Sequence, residues 1–462
     1  MTKSNSRLHF VHPALAQLAS KFVAIFAITI ALNFAVLNYA NATKIERVVS
    51  PGGIEAWLVE DHSLPLITFK FAMEGGAAQD PDGKAGLANL VSGLIDEGAG
   101  EMDSQAFQGR LQELAISLLF QARRDTFEGS LKTLTEYSEE AFRLLRLALN
   151  EPRFDDEPVE RIRAQVLTGI RASLQSPNEI ASRAWMNIAL PGHIYARELN
   201  GTIDSVNAIT NDDLRGYVAR VIAKDRLMIS VVGDIDAARL APLLDQIFGD
   251  LPDAATLTDV ENATPVAGPV LDIIEMDIPQ AIVRFGHAGL ARNDPDFIPA
   301  YIVNHILGGG SFSSRLYAEI REKRGLAYSV YSYLFPLDHA AFFSGAVATQ
   351  NERVGETIST LKEEILRMAE TGPTEEELAS AKSFLIGSYP LRFDTGEKIA
   401  EQLIGIQHAN LGIEYINNRN GMIDAVTIED VRRVARDLLM ADNLIITIVG
   451  RPVGVTEINI DG

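Results

Sequence analysis

The apolar positions fall into two helical and strand-like sets that recur along the chain. Leu131, Leu134, Ala141, Leu144, Leu145 and Ala148 share one helical face, and the run stops at Pro152. Val354, Ile358, Leu361, Ile365 and Met368 form the same kind of face, stopped at Gly372-Pro373. A new helix is then predicted from the capping box Thr374-x-x-Glu377, and its counterpart opens at about Glu157-Pro158. The segment from Ala208, AITNDDLRGYVARVIAKDRLMISVVG, realigns without a gap on AVTIEDVRRVARDLLMADNLIITIVG from Ala425. Each copy starts a helix at a Thr (Thr210, Thr427) with Asp at the third helical position (Asp213, Asp430). Each closes on a β-branched strand ending at Gly233 or Gly450. A repeat of this length marks an internal duplication.

Between the copies, residues 249–270 carry Pro252, Pro265 and Pro269 among Ala, Thr and Asp with no period, which predicts a linker. Strands expected at Ile54–Val59, Leu66–Met73 and Ile282–Gly286 alternate with long helices without a regular βαβ rhythm. The fold class predicted is α+β, in two homologous halves. The expected division is 1–42 a leader, 43–248 the N-terminal half, 249–270 the linker and 271–462 the C-terminal half.

Composition narrows the chemistry. A formal charge of −21 argues against nucleic acid, whose phosphates demand a basic face. With no cysteine, disulfides, thiolate metal sites and cysteine nucleophiles are excluded. Of eight histidines, the six beyond the leader (His62, His193, His287, His305, His339, His408) never recur at a spacing of three or four, so no metal site is expected among them. Lys3, Arg7 and Lys21 precede an apolar run from Phe22 to about Val36, followed by Ala40-Asn41-Ala42. That pattern predicts an export signal and a periplasmic body, with an uncleaved membrane anchor as the alternative.

The stretch Ser313-Ser314-Arg315-Leu316-Tyr317-x-x-Ile320-Arg321-x-Lys323-Arg324-Gly325-Leu326-Ala327-Tyr328-Ser329-Val330, preceded by Leu307-Gly308-Gly309-Gly310, resembles the C-terminal-half signature of the pitrilysin, insulysin and mitochondrial-processing-peptidase family. Gly86-Leu87-Ala88, Gly201-Thr202, Ser205-Val206, Ile209-Thr210 and Val232-Gly233-Asp234 follow that family's order in the first half. The resemblance covers about residues 44 to 455. It implies two halves, each a mostly antiparallel sheet flanked by helices, closing as a clamshell around a chamber for unfolded peptide.

Active members of that family carry His-x-x-Glu-His after Gly-Leu-Ala. The two imidazoles share a helical face and one zinc, and the Glu takes a proton from the attacking water. Here the motif positions hold Asn89, Ser92 and Gly93, and the third-ligand position holds Gly169. No metal is therefore expected in this chain; the resemblance places zinc in a homologous partner subunit carrying His-x-x-Glu-His.

What the resemblance retains is an Arg and a Tyr, here Arg321 and Tyr328, that reach the scissile peptide as substrate and oxyanion donors. The structural alternative is a surface ion pair of Arg321 with Glu319 or Glu322 and a core Tyr328. Gly308, Gly309 and Gly310 are candidate substrate contacts, against the alternative of a close-packed turn; they lack the Gly-Lys-Ser/Thr ending of a phosphate cradle. Asp96 and Glu97 are expected on a solvated helix end. The function expected is the non-metal-binding subunit of a heterodimeric zinc metallopeptidase. The alternative is an inert scaffold or peptide-binding subunit of an envelope complex.

Overall fold

A computed structural model describes residues 44–455; the expected leader at 1–42 lies outside the described residues. The first half runs β1 (Glu46–Val49), β2 (Glu55–Glu60), β3 (Leu66–Glu74), α1 (Leu87–Ser92), α2 (Ser104–Glu113), β4 (Ser117–Ala122), β5 (Thr126–Leu134), α3 (Ser138–Asn150), α4 (Asp156–Ser173), α5 (Pro177–Ala189), α6 (Ile203–Ala208), α7 (Asn211–Val221), β6 (Met228–Gly233) and α8 (Ala237–Phe248). The second runs β7 (Val270–Glu275), β8 (Gln280–Ala288), α9 (Phe297–Asn304), β9 (Ala327–Pro336), β10 (Ala341–Gln350), α10 (Val354–Thr371), α11 (Glu375–Gly387), α12 (Gly396–His408), α13 (Tyr415–Ala425), α14 (Ile428–Leu438) and β11 (Ile445–Gly450).

The duplication is visible in the sheets. The first has the order β1-β2-β6-β3-β5-β4 and the second β7-β11-β8-β10-β9. Without β1 the two orders are the same, and each has a single parallel pair, β2 with β6 and β7 with β11, among antiparallel neighbours. Both repeated helices start as expected. Thr210 and Thr427 each accept from the amide of the Asp three residues on, and that Asp side chain accepts in return.

One helical expectation is corrected. Leu131 and Leu134 belong to β5, and the helix begins only at Ser138, where Glu139 and Glu140 occupy the positive end. Leu131 is buried all the same, through strand alternation over Phe127 and Leu131 rather than a helical stripe. The segment at 250–269 has no regular structure but is pinned. Thr258 exchanges hydrogen bonds with the Gln79 side chain, and the amides of Ala263 and Val266 donate to the carbonyls of His339 and Ala189.

Each sheet lays one face on its own helices and gives the other to a helix from the opposite half. From the first half, α5 packs on β8 and β11; from the second, α12 packs on β3 and β6. Trp185 of α5 is buried edge-on against Phe342, its indole N–H donating to the Ile445 carbonyl at 3.0 Å. Ala400, Leu403 and Ile406 of α12 pack on Trp57, Val59 and Val232. Glu401 of the same helix pairs with Lys70, and Gln407 donates to the Ile229 carbonyl. Closure of the halves as a clamshell is not shown by this packing, which interlocks them.

Candidate functional site

The degenerate zinc positions sit on a well-built scaffold. The Asp80 carboxylate accepts from the amides of Gly86 (2.7 Å), Leu87 (3.1 Å) and Ala88 (2.8 Å), so it caps the start of α1. Burial pushes its pKa up to about 7 against the pull of those amides. Gly86 has φ 91°, and a Cβ there would meet the Asn200 carbonyl at 2.6 Å, so glycine is required.

On α1, Asn89 is half-buried, and Ser92 is buried with its hydroxyl turned back on the Asn89 carbonyl at 2.8 Å. Gly93 ends the helix, exposed, and a Cβ on it would touch Ile162 of α4. Gly169, further along α4, is exposed with open space around its Cα. An amide, an internally bonded hydroxyl and two glycines do not fit a zinc ion, whose ligands are imidazole, thiolate or carboxylate. Among the described residues no group of three or more His, Cys, Asp or Glu is arranged to hold a metal.

Asp96 and Glu97 are not a solvated helix end. The helix stops at Ser92, and Asp96 accepts from the Gln108 side chain in a turn, where burial pushes its pKa up to about 6. Glu97 pairs with Arg161 at 2.6 Å. Both carboxylates are occupied in local structure.

In the second half, α9 runs into a wider π-helical turn at His305–Gly309, and a second such turn spans Tyr317–Lys323. Turns of this kind recur at functional sites. Gly308 is buried, and a Cβ there would lie 2.8 Å from the Ser332 amide of β9; Gly309 is exposed and Gly310 half-buried. The loop thus packs directly on β9. Arg315 fixes its far end through both carboxylate oxygens of Glu377, at 2.6 and 2.7 Å, and through the Gly372 carbonyl at 3.0 Å.

The charges of the signature then sort themselves. Glu319, 6% exposed, collects Lys323 and Arg324, with Arg367 at 3.6 Å. Arg321 is left without a carboxylate among the described residues. It donates to the Tyr317 hydroxyl instead, and its guanidinium carbon stands 4.6 Å from the Tyr328 ring centre, 4.8 Å from Tyr317 and 6.0 Å from Phe312.

Tyr328 is 77% exposed and Phe312 72% exposed. Both structural alternatives therefore fail: among the described residues Arg321 has no ion pair, and Tyr328 is not core. Sequence reasoning had not singled out Phe312 and Tyr317, although Tyr317 and Arg321 stand four apart on one helical turn. The corner lies at the start of β9, an edge strand of its sheet. An exposed phenol beside a half-buried guanidinium fork at an edge strand can donate to carbonyl oxygens of an extended peptide. No hydrogen bond or ion pair links this corner to Asn89, Ser92, Gly93 or Gly169 among the described residues.

With that geometry in view, similarity to known proteins can be placed on the chain. The family description "Insulinase (Peptidase family M16)" matches residues 58–203, and "Peptidase M16 inactive domain" matches residues 208–385. An uncharacterized zinc protease of Streptomyces coelicolor is 31% identical over 363 residues, spanning 76% of this chain and 74% of that one. A Helicobacter pylori protein described as a non-peptidase homolog, YmxG, is 29% identical over 339 residues, spanning 73% of this chain and 78% of its own. A crystal structure of a peptidase M16 inactive domain from Pseudomonas fluorescens superposes with a TM-score of 0.83 at 27% identity, covering 90% of this chain and 100% of that one.

Proposed function

Because the chain belongs to the M16 (insulinase) peptidase family, and because its zinc positions hold Asn89, Ser92, Gly93 and Gly169, we propose that it is the metal-free subunit of a heterodimeric zinc peptidase of the cell envelope. The single observation that carries this reading is the state of Arg321 and Tyr328. Tyr328 is exposed and the half-buried Arg321 lies over its ring, with no carboxylate partner among the described residues, where a scaffold would let Glu319 or Glu322 neutralise the arginine. The partner supplies the zinc and its general base. This chain contributes the Tyr328 hydroxyl, which donates to the oxyanion formed on the attacked peptide carbonyl, and the Arg321 fork, which holds a neighbouring carbonyl. The interlocked halves favour a peptide chamber bounded by two chains rather than by two halves of one. Gly309 and Gly310 would lie on its rim, while Gly308 is committed to packing.

The test is a complex of this chain with its zinc-bearing partner, assayed on an unfolded peptide. Removing one oxyanion donor costs on the order of 10²–10³ in kcat. Tyr328→Phe should approach that loss with the melting temperature and the assembly unchanged, because an exposed hydroxyl contributes little to stability. Full turnover in both Tyr328→Phe and Arg321→Gln would leave the chain a scaffold or a peptide holder, capturing extended segments on a free sheet edge.

A further inference from the structure

A cavity of about 450 Å³ opens in the second half and shares no residue with the Arg321–Tyr328 corner. Arg292 from the loop after β8, Arg392 from the turn before α12, and Arg419 of α13 line it together with Tyr301, Tyr389 and Tyr415. Two of the three guanidiniums rest on rings. Arg419 stands 4.2 Å from the Tyr389 ring centre, and Arg292 stands 4.5 Å from Phe297 and 5.3 Å from Tyr415. Arg292 also donates to the Tyr415 hydroxyl at 2.8 Å, and Arg392 to that of Tyr301 at 3.4 Å. Arg419 is only 5% exposed, and it donates through Nη1 alone, to the Leu385 carbonyl at 2.8 Å and to Asn420 Oδ1 at 3.1 Å.

None of the three has a carboxylate partner among the described residues. The one acid on the cavity wall, Glu401, is engaged by Lys70 and by Arg123 of the first half. The three cations nevertheless share one field. Burial raises the pKa of Tyr389, and Arg419, Arg392 and Arg292 all act against it. Burial lowers the pKa of Arg419, with nearby tyrosines and no acid opposing.

An unpaired, desolvated guanidinium is costly. In a chain with 62 acidic and 41 basic residues, three guanidiniums converge on one cavity whose single acid, Glu401, is taken by other cations. Stacking holds the Arg292 and Arg419 forks flat and leaves their N–H edges for a planar oxyanion, with the exposed Arg392 on the same wall. The volume falls in the range of small-ligand pockets.

We propose that this cavity binds a small organic anion, its carboxylate or phosphate head among Arg292, Arg392 and Arg419 and its apolar or aromatic body against Phe297, Tyr389 and Tyr415. The site stands independently of the peptidase reading. The test is calorimetric titration of the full chain at low salt with N-acetylphenylalanine, phenyl phosphate and the uncharged N-acetylphenylalanine amide. At least one anion should bind about tenfold or more tightly than the amide, because charge-assisted forks dominate the contact. Which anion binds distinguishes a carboxylate ligand from a phosphate ligand.

Arg392→Gln, at an exposed position, should weaken that anion by about tenfold with an unchanged melting temperature. Arg419→Gln should do the same if it folds. Equal binding of amide and anion, no binding of any probe up to about 10 mM, or unchanged affinity in Arg392→Gln and Arg292→Gln would overturn the proposal.

Discussion

Replacing Trp185 by Ala tests whether the two halves stand or fall together. The side chain is encoded in the first half but is buried on the second sheet, 2% exposed, with Phe342 at 5.3 Å and its N–H on the Ile445 carbonyl. The cavity it leaves is floored by backbone, since its ring lies directly over Gly286 of β8. Such a floor relaxes little. Truncating a buried aromatic costs about 3–5 kcal/mol, and the lost hydrogen bond adds about 1 kcal/mol. The sum is a large share of the stability expected of a folded domain.

The assay follows from the composition: there are two tryptophans, so Trp185→Ala leaves Trp57 as the only one. Trp57 reports on the first sheet under α12. Interlocked halves predict that the urea transition seen by Trp57 fluorescence moves down by about 1 M and coincides with that seen by circular dichroism. A Trp57 transition left at the wild-type midpoint, with the dichroism splitting in two, would refute the interlock.

Two further outcomes follow. Gly308→Ala forces a methyl to 2.8 Å from the Ser332 amide and 3.0 Å from Leu316 Cδ1, so it should cost about 1–3 kcal/mol in denaturant unfolding; an unchanged midpoint would mean the loop is not committed to β9. His287 is 1% exposed and neutral, Nε2 accepting the Met440 amide at 3.3 Å, and burial lowers its pKa from 6.5 to about 4. The unfolded chain therefore binds a proton that the folded one does not between those values, so stability falls as pH drops from about 6.5 to about 4. That loss is about 2 kcal/mol at pH 5, and His287→Phe should abolish it; the same pH slope in the variant would remove His287 as the cause.

Local signals were legible in the sequence. The capping residues Thr210, Thr427 and Thr374 and the two repeated strands follow from short-range hydrogen bonding and periodicity, and they lie where expected. Leu131 and Leu134 were not, because in a buried strand leading into a helix their spacing also satisfies a helical stripe. The exchange of α5 and α12 has no sequence signature, since both helices carry ordinary amphipathic patterns and only tertiary packing decides which sheet each covers.

At the site, Arg321 and Tyr328 were readable by resemblance, but the cage of Phe312 and Tyr317 came only with the π-helical turn. Arg292, Arg392 and Arg419 are dispersed in sequence and meet only through α9, α12 and α13.

The most direct test of the account is native purification of the protein from envelope extract, with its partners identified by mass spectrometry and their stoichiometry measured. The account predicts one equimolar partner of similar size carrying His-x-x-Glu-His. Recovery of the chain alone, or within an assembly holding no such subunit, would contradict it.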